Sequence, residues 1–537
     1  MNADSNTDLI ITNAHMRTMD PGRPHAEALA ICGNRISFVG SNEKALRLRG
    51  ISTRVVDAEN RLVLPGFNDS HVHFLSGGFQ LASVDLRDAK SPIEFAERIR
   101  RFAESKPAGS WILGGEWDHE SWEGAPLPEK EWVDRFTPHH PVLVCRLDGH
   151  MALANSQALK LAGISGESPE VEGGLIVRKS STREPTGLLK ETAMLLVERV
   201  IPPKTFEEKL HAARAATEYA AKLGVTSVQD MSTGRDVGVY QELIRQGHLK
   251  TRIYGMTPLV HWERLADVGI RAPFGNDLLR IGGLKAFSDG SLGSSTAWFY
   301  EAYADQPGNF GLPGPDMFPP GEINRRALAA DRAGLQLIIH AIGDAANGAM
   351  LDLFREVQTT NGLRDRRSRI EHAQHLRPDL IPRFGREGVI ASMQPYHAVD
   401  DGRWCEPRIG RERLRGTYAF RSLLDAGATL AFGSDWTVAP LDPLTGIHAA
   451  VTRRTADGRN PEGWIPEQKI SLEETLQAYT TGSAFAEFAE RDKGILSPGK
   501  LADLVMLDRN LFEIDPEEIP ATRVCLTIMD GRVVYER

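Results

Sequence analysis

The chain has 537 residues, 41% hydrophobic and 25% charged, the composition of a globular protein with room for more than one domain. A formal net charge of -9, without any Lys/Arg run of the kind that tracks phosphates, argues against nucleic acid as a main partner. No basic segment leads into an apolar one near the start and no apolar window is long enough for a bilayer, so the expectation is a soluble, cytoplasmic protein that is off the membrane.

The chain opens on short apolar runs at 9–12, 28–32, 36–39 and 54–57, separated by Asn, Gly and Pro, and these predict strands. Runs at 504–507, 524–529 and 533–535 repeat that style at the other end, with Asp530-Gly531 as a tight-turn signal. Strands at both ends around a different middle predict one composite β-sandwich domain from residues 1–63 and 488–537; two unrelated β extensions are the alternative. The cysteines Cys32, Cys145, Cys405 and Cys525 are far apart, form no CxxC pair and read as buried, reduced thiols.

Between the two ends, over 64–487, strand-like runs alternate with helical stretches, the signature of parallel α/β architecture. The runs fall at 62–73, 225–231, 252–259, 280–287, 336–341, 369–373, 389–394 and 429–433. Capping-box spacings at Thr205 to Glu208 and Ser471 to Glu474 mark helix starts, and the first of these stretches ends at Gly224. Eight strands, with no Gly-rich dinucleotide loop after the first, favour a closed (β/α)₈ barrel (TIM barrel) over an open sheet. The interval from 73 to 225 is far longer than one βα unit needs. It carries strand candidates at 111–113 and 142–146, so an inserted subdomain is expected over about 86–200.

Residues two apart on a strand share a face, so His71 and His73 can grip one divalent ion together. Alone, the pair is a modest signal: two ordinary polar residues at a strand end would read the same. Its position directly after an apolar run puts it at the C-terminal end of a strand, where barrel active sites lie. The placement recurs at His340 after Ile338-Ile339, at His372 after Ile370-Glu371, and at Asp435 after Phe432-Gly433-Ser434. Four histidines and an aspartate at strand ends form a strong metal-site signal. Lys285 lies within the fourth run, where an unpaired ammonium is costly. Either it faces outward or forms a salt bridge, or CO₂ converts it to a carbamate that bridges two ions.

The stretches VLPGFNDSHVHF, DGHMALANSQAL, GGLKAFSDGSLGSSTA, HAIGDAAN, RIEHAQHL and FGSDWTVAPLDP, together with GILSPGKLADLVMLD, resemble the amidohydrolase superfamily. Within it the chain is most similar to the YtcJ-like branch, which includes N-substituted formamide deformylase. The resemblance implies that His71, His73 and Asp435 bind the more buried ion, that His340 and His372 bind the second, and that a carboxylated Lys285 bridges them. The implied cofactors are a divalent metal, zinc first, as one or two ions, and the CO₂-derived carbamate on Lys285.

A divalent ion brings the pKa of water from ~15.7 to ~7, and Asp435 is the expected general base and catalytic residue. The expected reaction is hydrolysis of a non-peptide C–N bond in an amide, formamide or N-acyl substrate. A deaminase, lactonase or esterase would use the same centre, and a non-catalytic regulatory protein could retain the barrel. The expected partner is a small molecule, with a homo-oligomer possible in principle. Substrate-binding candidates are His150 in the insert, Asp289 on the loop after the fourth strand, Trp298 and His397; Ser291 and Trp117 are further mouth residues. Gly114-Gly115-Glu116-Trp117-Asp118 departs from the family's GxGW-like form, which weakens any role carried over to its first residues.

Overall fold

Runs such as Leu337-Ile338-Ile339 must be buried on both faces, and parallel strands covered by helices do this. The computed structural model describes residues 7–119, 122–146, 151–169, 171 and 174–537. In it, Phe67–Val72, Val225–Asp230, Arg252–Pro258, Leu279–Phe287, Gln336–Ala341, Arg369–His372, Ile390–Met393 and Leu430–Phe432 lie side by side as parallel neighbours, in chain order. The two edges of this sheet meet. Val72 bridges Trp436, the Asp435 N–H donates to the His71 carbonyl at 2.7 Å, and the His73 N–H donates to the Trp436 carbonyl at 2.6 Å. The result is a (β/α)₈ barrel, with helices such as Glu322–Arg332 and Asp344–Asn361 between successive strands.

One expected element is corrected. The run 62–73 is two strands, not one: Leu62–Pro65 belongs to a different sheet from Phe67–Val72. Gly66 separates them, and a Cβ there would stand 2.2 Å from Thr226 Oγ1, so the chain passes too close to its neighbour for any side chain.

Leu62–Pro65 lies in a six-stranded sheet with Leu504–Leu507, Val524–Met529 and Arg532–Glu536 on one side and His15–Arg17 and His25–Ala26 on the other. Leu64 faces Val505 in antiparallel register, so the two ends of the chain share one sheet. A second sheet joins Arg35–Gly40, Ala28–Cys32, Leu9–Thr12 and Arg54–Asp57. Ile11, Leu29 and Ile31 from this second sheet pack with Val63, Leu504 and Ile528 from the first in a single apolar core, which makes the pair a sandwich.

The chain divides into two compact units: Met1–Leu75 with Ala216–Arg537, and Ser76–Ala215. The second unit is built on a sheet in the order Gly174–Arg178, Pro185–Glu191, Met151–Ala154, Val142–Arg146, Ile112–Trp117, Val84–Asp85. Its core gathers Phe95, Trp117 and Trp122, with Trp132 against them. Both capping boxes form, at Thr205–Glu208 and at Ser471–Glu474. Of the four cysteines only Cys405 is buried; Cys32 is exposed, Cys145 and Cys525 are half-buried, and none is in a disulfide, which corrects the expectation of four buried thiols. No helix among the described residues is long and apolar enough to cross a membrane.

Candidate metal centre

Strand parity turns His71 and His73 to the same side of the first barrel strand, and the closing segment after the eighth carries Asp435 to meet them. Asp435 Oδ1 lies 3.4 Å from His73 Nε2 and 3.6 Å from His71 Nε2. Two ligand atoms held tetrahedrally at ~2.1 Å from one ion are roughly 3.4 Å apart, so these separations suit a shared cation. The Asp435 Oδ1 atom is buried and accepts no hydrogen bond among the described residues.

Barrel closure sets this geometry. The Asp69 carboxylate, on the first strand, accepts the Ser434 N–H on both oxygens at 3.0 Å and the His71 N–H on Oδ1 at 3.0 Å. Gly433 lets the strands approach: a Cβ there would meet the His71 nitrogen at 2.5 Å and Asp69 Oδ1 at 2.7 Å. Asp435 takes a left-handed conformation with φ 58° and His372 another with φ 73°. Such backbone is uncommon outside glycine and gathers where a site over-determines it.

A residue pair not singled out in the sequence underlies His71. Its Nδ1–H donates to Glu371 Oε2 at 2.5 Å, leaving Nε2 for the Asp435 side. Glu371 Oε1 accepts from Arg369 Nε at 2.9 Å, and Arg369 Nη2 also donates to the Ser70 carbonyl at 2.7 Å. All three side chains are essentially without exposure, so the Arg369 charge offsets the cost of holding the Glu371 carboxylate inside the barrel. A carboxylate on the far nitrogen of an imidazole fixes its tautomer and raises its basicity toward a metal. The signal was present in Arg369-Ile370-Glu371: opposite charges two apart on a buried strand must face the same interior.

His340, His372 and His397 form the other side. The His340 and His372 rings lie 4.6 Å apart, and His372 to His71 is 5.0 Å. His340 Nε2–H donates to the Gly290 carbonyl at 3.0 Å, which leaves Nδ1 as its lone-pair nitrogen. His397, on the helix Pro395–Asp401 after the seventh strand, sets its ring within 10° of parallel to that of His372, 6.2 Å away. Lys285 is buried within the fourth strand, its Nζ 5.0 Å from the centre of the Phe287 ring.

Burial dominates the electrostatics. It holds His71 and His372 well below the usual imidazole range, with the Lys285 charge adding to the effect on both, and it pulls His397 down to about 4. These rings are neutral near pH 7, the state in which a histidine is a ligand. Burial pushes the Asp435 carboxyl up to about 7, against the pull of Lys285, and lowers the Lys285 ammonium to about 8, against the pull of Glu371 and Asp435. Buried nitrogens and oxygens with depressed charge and few hydrogen bonds suit a divalent ion.

The other expected mouth residues separate. Asp289 is fully buried and braces backbone: it accepts from the N–H groups of Trp298, Ile342 and Gly343, so its carboxylate is engaged within the fold. Trp298 is half-buried, its carbonyl accepting from Ala345 and Ala346, and Ser291 is exposed. Trp117 has no exposure and donates from Nε1 to the Val144 carbonyl at 2.9 Å, so it is core packing of its own unit and not a wall. His150 lies outside the described residues.

The chain matches the amidohydrolase family over residues 54–535. It belongs to that family. Among relatives of this amidohydrolase, it is 40% identical to Protein LONG AFTER FAR-RED 3 of Arabidopsis thaliana, over 98% of this chain and 91% of that one. It is 30% identical to the putative amidohydrolase YtcJ of Bacillus subtilis, over 95% of this chain and 96% of the relative. The N-substituted formamide deformylase of Arthrobacter pascens is 28% identical over 99% of this chain and 98% of its own. Among solved structures, an uncharacterized metal-dependent hydrolase from Pyrococcus horikoshii superposes with a TM-score of 0.79 at 29% identity, covering 95% of this chain and 99% of the other. Family and fold together identify a hydrolase of the metal-dependent amidohydrolase kind, as the motifs implied.

Proposed function

We propose that this amidohydrolase cleaves a non-peptide C–N bond of an amide, formamide or N-acyl small molecule, using one or two divalent ions, with zinc the first choice. The observation that carries the reading is the meeting of His71, His73 and Asp435 at 3.4 and 3.6 Å around a carboxylate oxygen that has no hydrogen bond among the described residues. His71, His73 and Asp435 would hold the first ion, and His340 and His372 the second, with Lys285 between them. A bound ion supplies the Lewis acidity that makes water a nucleophile near neutral pH.

The protein groups manage the protons. As water attacks the carbonyl carbon, the Asp435 carboxylate takes one of its protons; it then returns that proton to the nitrogen as the C–N bond breaks, giving an acid and an amine. A carboxyl held at about 7 is suited to both halves of this exchange. His372 and its neighbours, neutral and fixed, supply dipoles for the oxyanion without reorganising. At Lys285, burial favours the neutral amine, the form that adds to CO₂: a new N–C bond forms and one proton leaves for solvent.

The test is a hydrolysis screen of metal-replete protein over N-formyl amines, N-acyl amino acids, cyclic amides and esters. Turnover of one or more amides, abolished by chelation and restored by zinc, is expected. Turnover confined to esters, lactones or ring-amino heterocycles would move the reading to an esterase, lactonase or deaminase. Full metal occupancy with no turnover of any class would favour a regulatory role.

A further inference from the structure

The ligands that the family resemblance supplies do not include His397, yet in this structure it faces the same cluster. Its Nε2, like His372 Nδ1, is buried and has no hydrogen-bond partner among the described residues. Asp435 Oδ2 lies 3.9 Å from His397 Nε2. Ligand atoms of His372, His397 and Asp435 all lie within 4.8 Å of one another, the same criterion that His71, His73 and Asp435 meet. A buried imidazole nitrogen with nothing to bond costs stability, and two such nitrogens beside the Asp435 carboxylate are explained by a cation among them.

The position of His397 is built. It sits in the first turn of a short helix whose last residue, Asp401, is locked from outside. Asp401 Oδ2 accepts from Gln374 Nε2 at 2.7 Å and from the Tyr418 hydroxyl at 2.6 Å, and the Tyr418 N–H donates to the Gln374 carbonyl at 2.7 Å. Gln374 is two residues beyond His372. The closed ring Gln374–Asp401–Tyr418 thus ties the loop carrying His372 to the helix carrying His397 and sets the gap between the two imidazoles. His340, by contrast, has one ring nitrogen committed to the Gly290 carbonyl.

We infer that His397 is a ligand of the second ion, together with His372 and with the Oδ2 atom of Asp435, so that Asp435 divides its two oxygens between two histidine pairs. This rests on the hydrolase reading above and adds a ligand from the seventh strand's loop to its metal set. A carboxylate oxygen has two lone pairs, so Oδ2 can face the ion and still accept a proton. The His397–Asp435 separation of 3.9 Å exceeds the ~3.4 Å of a tetrahedral pair by about half an ångström, within reach of small side-chain rotations.

The experiment titrates metal-free protein with Co²⁺ and reads its visible absorption and dissociation constants, for the wild type and for His397→Gln. The inference expects the variant to bind its weaker Co²⁺ at least about 10-fold less tightly, with an altered ligand-field spectrum, while the first ion is unaffected. Identical constants and spectra overturn it. Should the variant fail to fold, wild-type protein carrying ¹⁵N-labelled histidine decides the matter: a large paramagnetic shift of the His397 ring nitrogen on Co²⁺ binding supports ligation, and a small one refutes it. A wild type that binds no Co²⁺ would instead overturn the hydrolase reading itself, so the two failures are distinguishable.

Discussion

His71 on the first barrel strand donates its Nδ1–H to Glu371 on the sixth across 2.5 Å of barrel interior, and this bond selects which nitrogen His71 presents to Asp435. Replacing Glu371 with Gln keeps the shape but removes the charge that Arg369 balances. Metal affinity should fall about 10–100-fold. Leaving Arg369 buried and unpaired should cost about 3–5 kcal/mol of stability in the metal-free protein. Calorimetric zinc titration and urea denaturation check the two effects separately. Unchanged zinc affinity would mean that Glu371 serves the fold alone.

Asp435→Asn should lower kcat by ~10²–10⁴-fold, the range for loss of a general base, without lowering the melting temperature of metal-free protein. Asparagine tolerates the left-handed φ of 58° at this position, and it also removes a carboxyl that burial disfavours. Asp435→Ala, by comparison, lacks that backbone tolerance and should cost a further ~1 kcal/mol or more. Steady-state kinetics with thermal melts of both variants separate chemistry from backbone preference. Full activity in the Asn variant would remove Asp435 from the mechanism.

Metal uptake should release more protons at pH 6 than at pH 8. Asp435, raised to about 7, is mainly protonated at the lower pH and must ionise to become a ligand, whereas at the higher pH it is already ionised. The buried histidines His71 and His372, held well below the usual range, are neutral at both pH values and release none. Isothermal titration in buffers of different ionisation enthalpy, made free of CO₂ so that Lys285 stays unmodified, counts the protons. Equal release at both pH values would contradict a raised Asp435.

Carbamylation of Lys285 should give a ¹³C resonance in protein loaded with zinc and ¹³C-bicarbonate, and Lys285→Gln should lack it. The variant should also hold fewer than two ions by elemental analysis. Burial and the Phe287 ring surround the lysine, and no carboxylate among the described residues lies within ion-pair distance. The amine therefore has reason to shed its proton and react. A wild-type spectrum without the resonance would make Lys285 a plain amine.

The barrel was legible because its strands are buried on both faces and so read as unbroken apolar runs, Gln336–Ala341 matching its expected bounds residue for residue. The histidines at the strand ends were legible for the same reason: polar residues stand out where an apolar run stops. The split at Gly66 was not, since both halves are apolar and only the packing against Thr226 separates them. Nor were His15–Arg17 and His25–Ala26, whose strand character comes from partners distant in sequence or across a short turn rather than from composition. At the site, residue type named Asp289 and His397 as mouth groups. Backbone geometry engages Asp289 with three amides and leaves its Oδ1 3.4 Å from His340 Nε2, whereas it turns His397 toward Asp435. Long-range contacts of this kind leave no periodic trace.

The seam between the first and last barrel strands has one more consequence. The Asp69 clamp on Ser434 and the His71–Asp435 backbone bond are what join the ends of the sheet, and they are also what bring His71, His73 and Asp435 together. Ring closure and assembly of the His71–His73–Asp435 cluster therefore depend on the same contacts. A newly made chain with every helix formed but this last joint open would lack the proposed first ligand set, so binding of that ion would report that the barrel has closed.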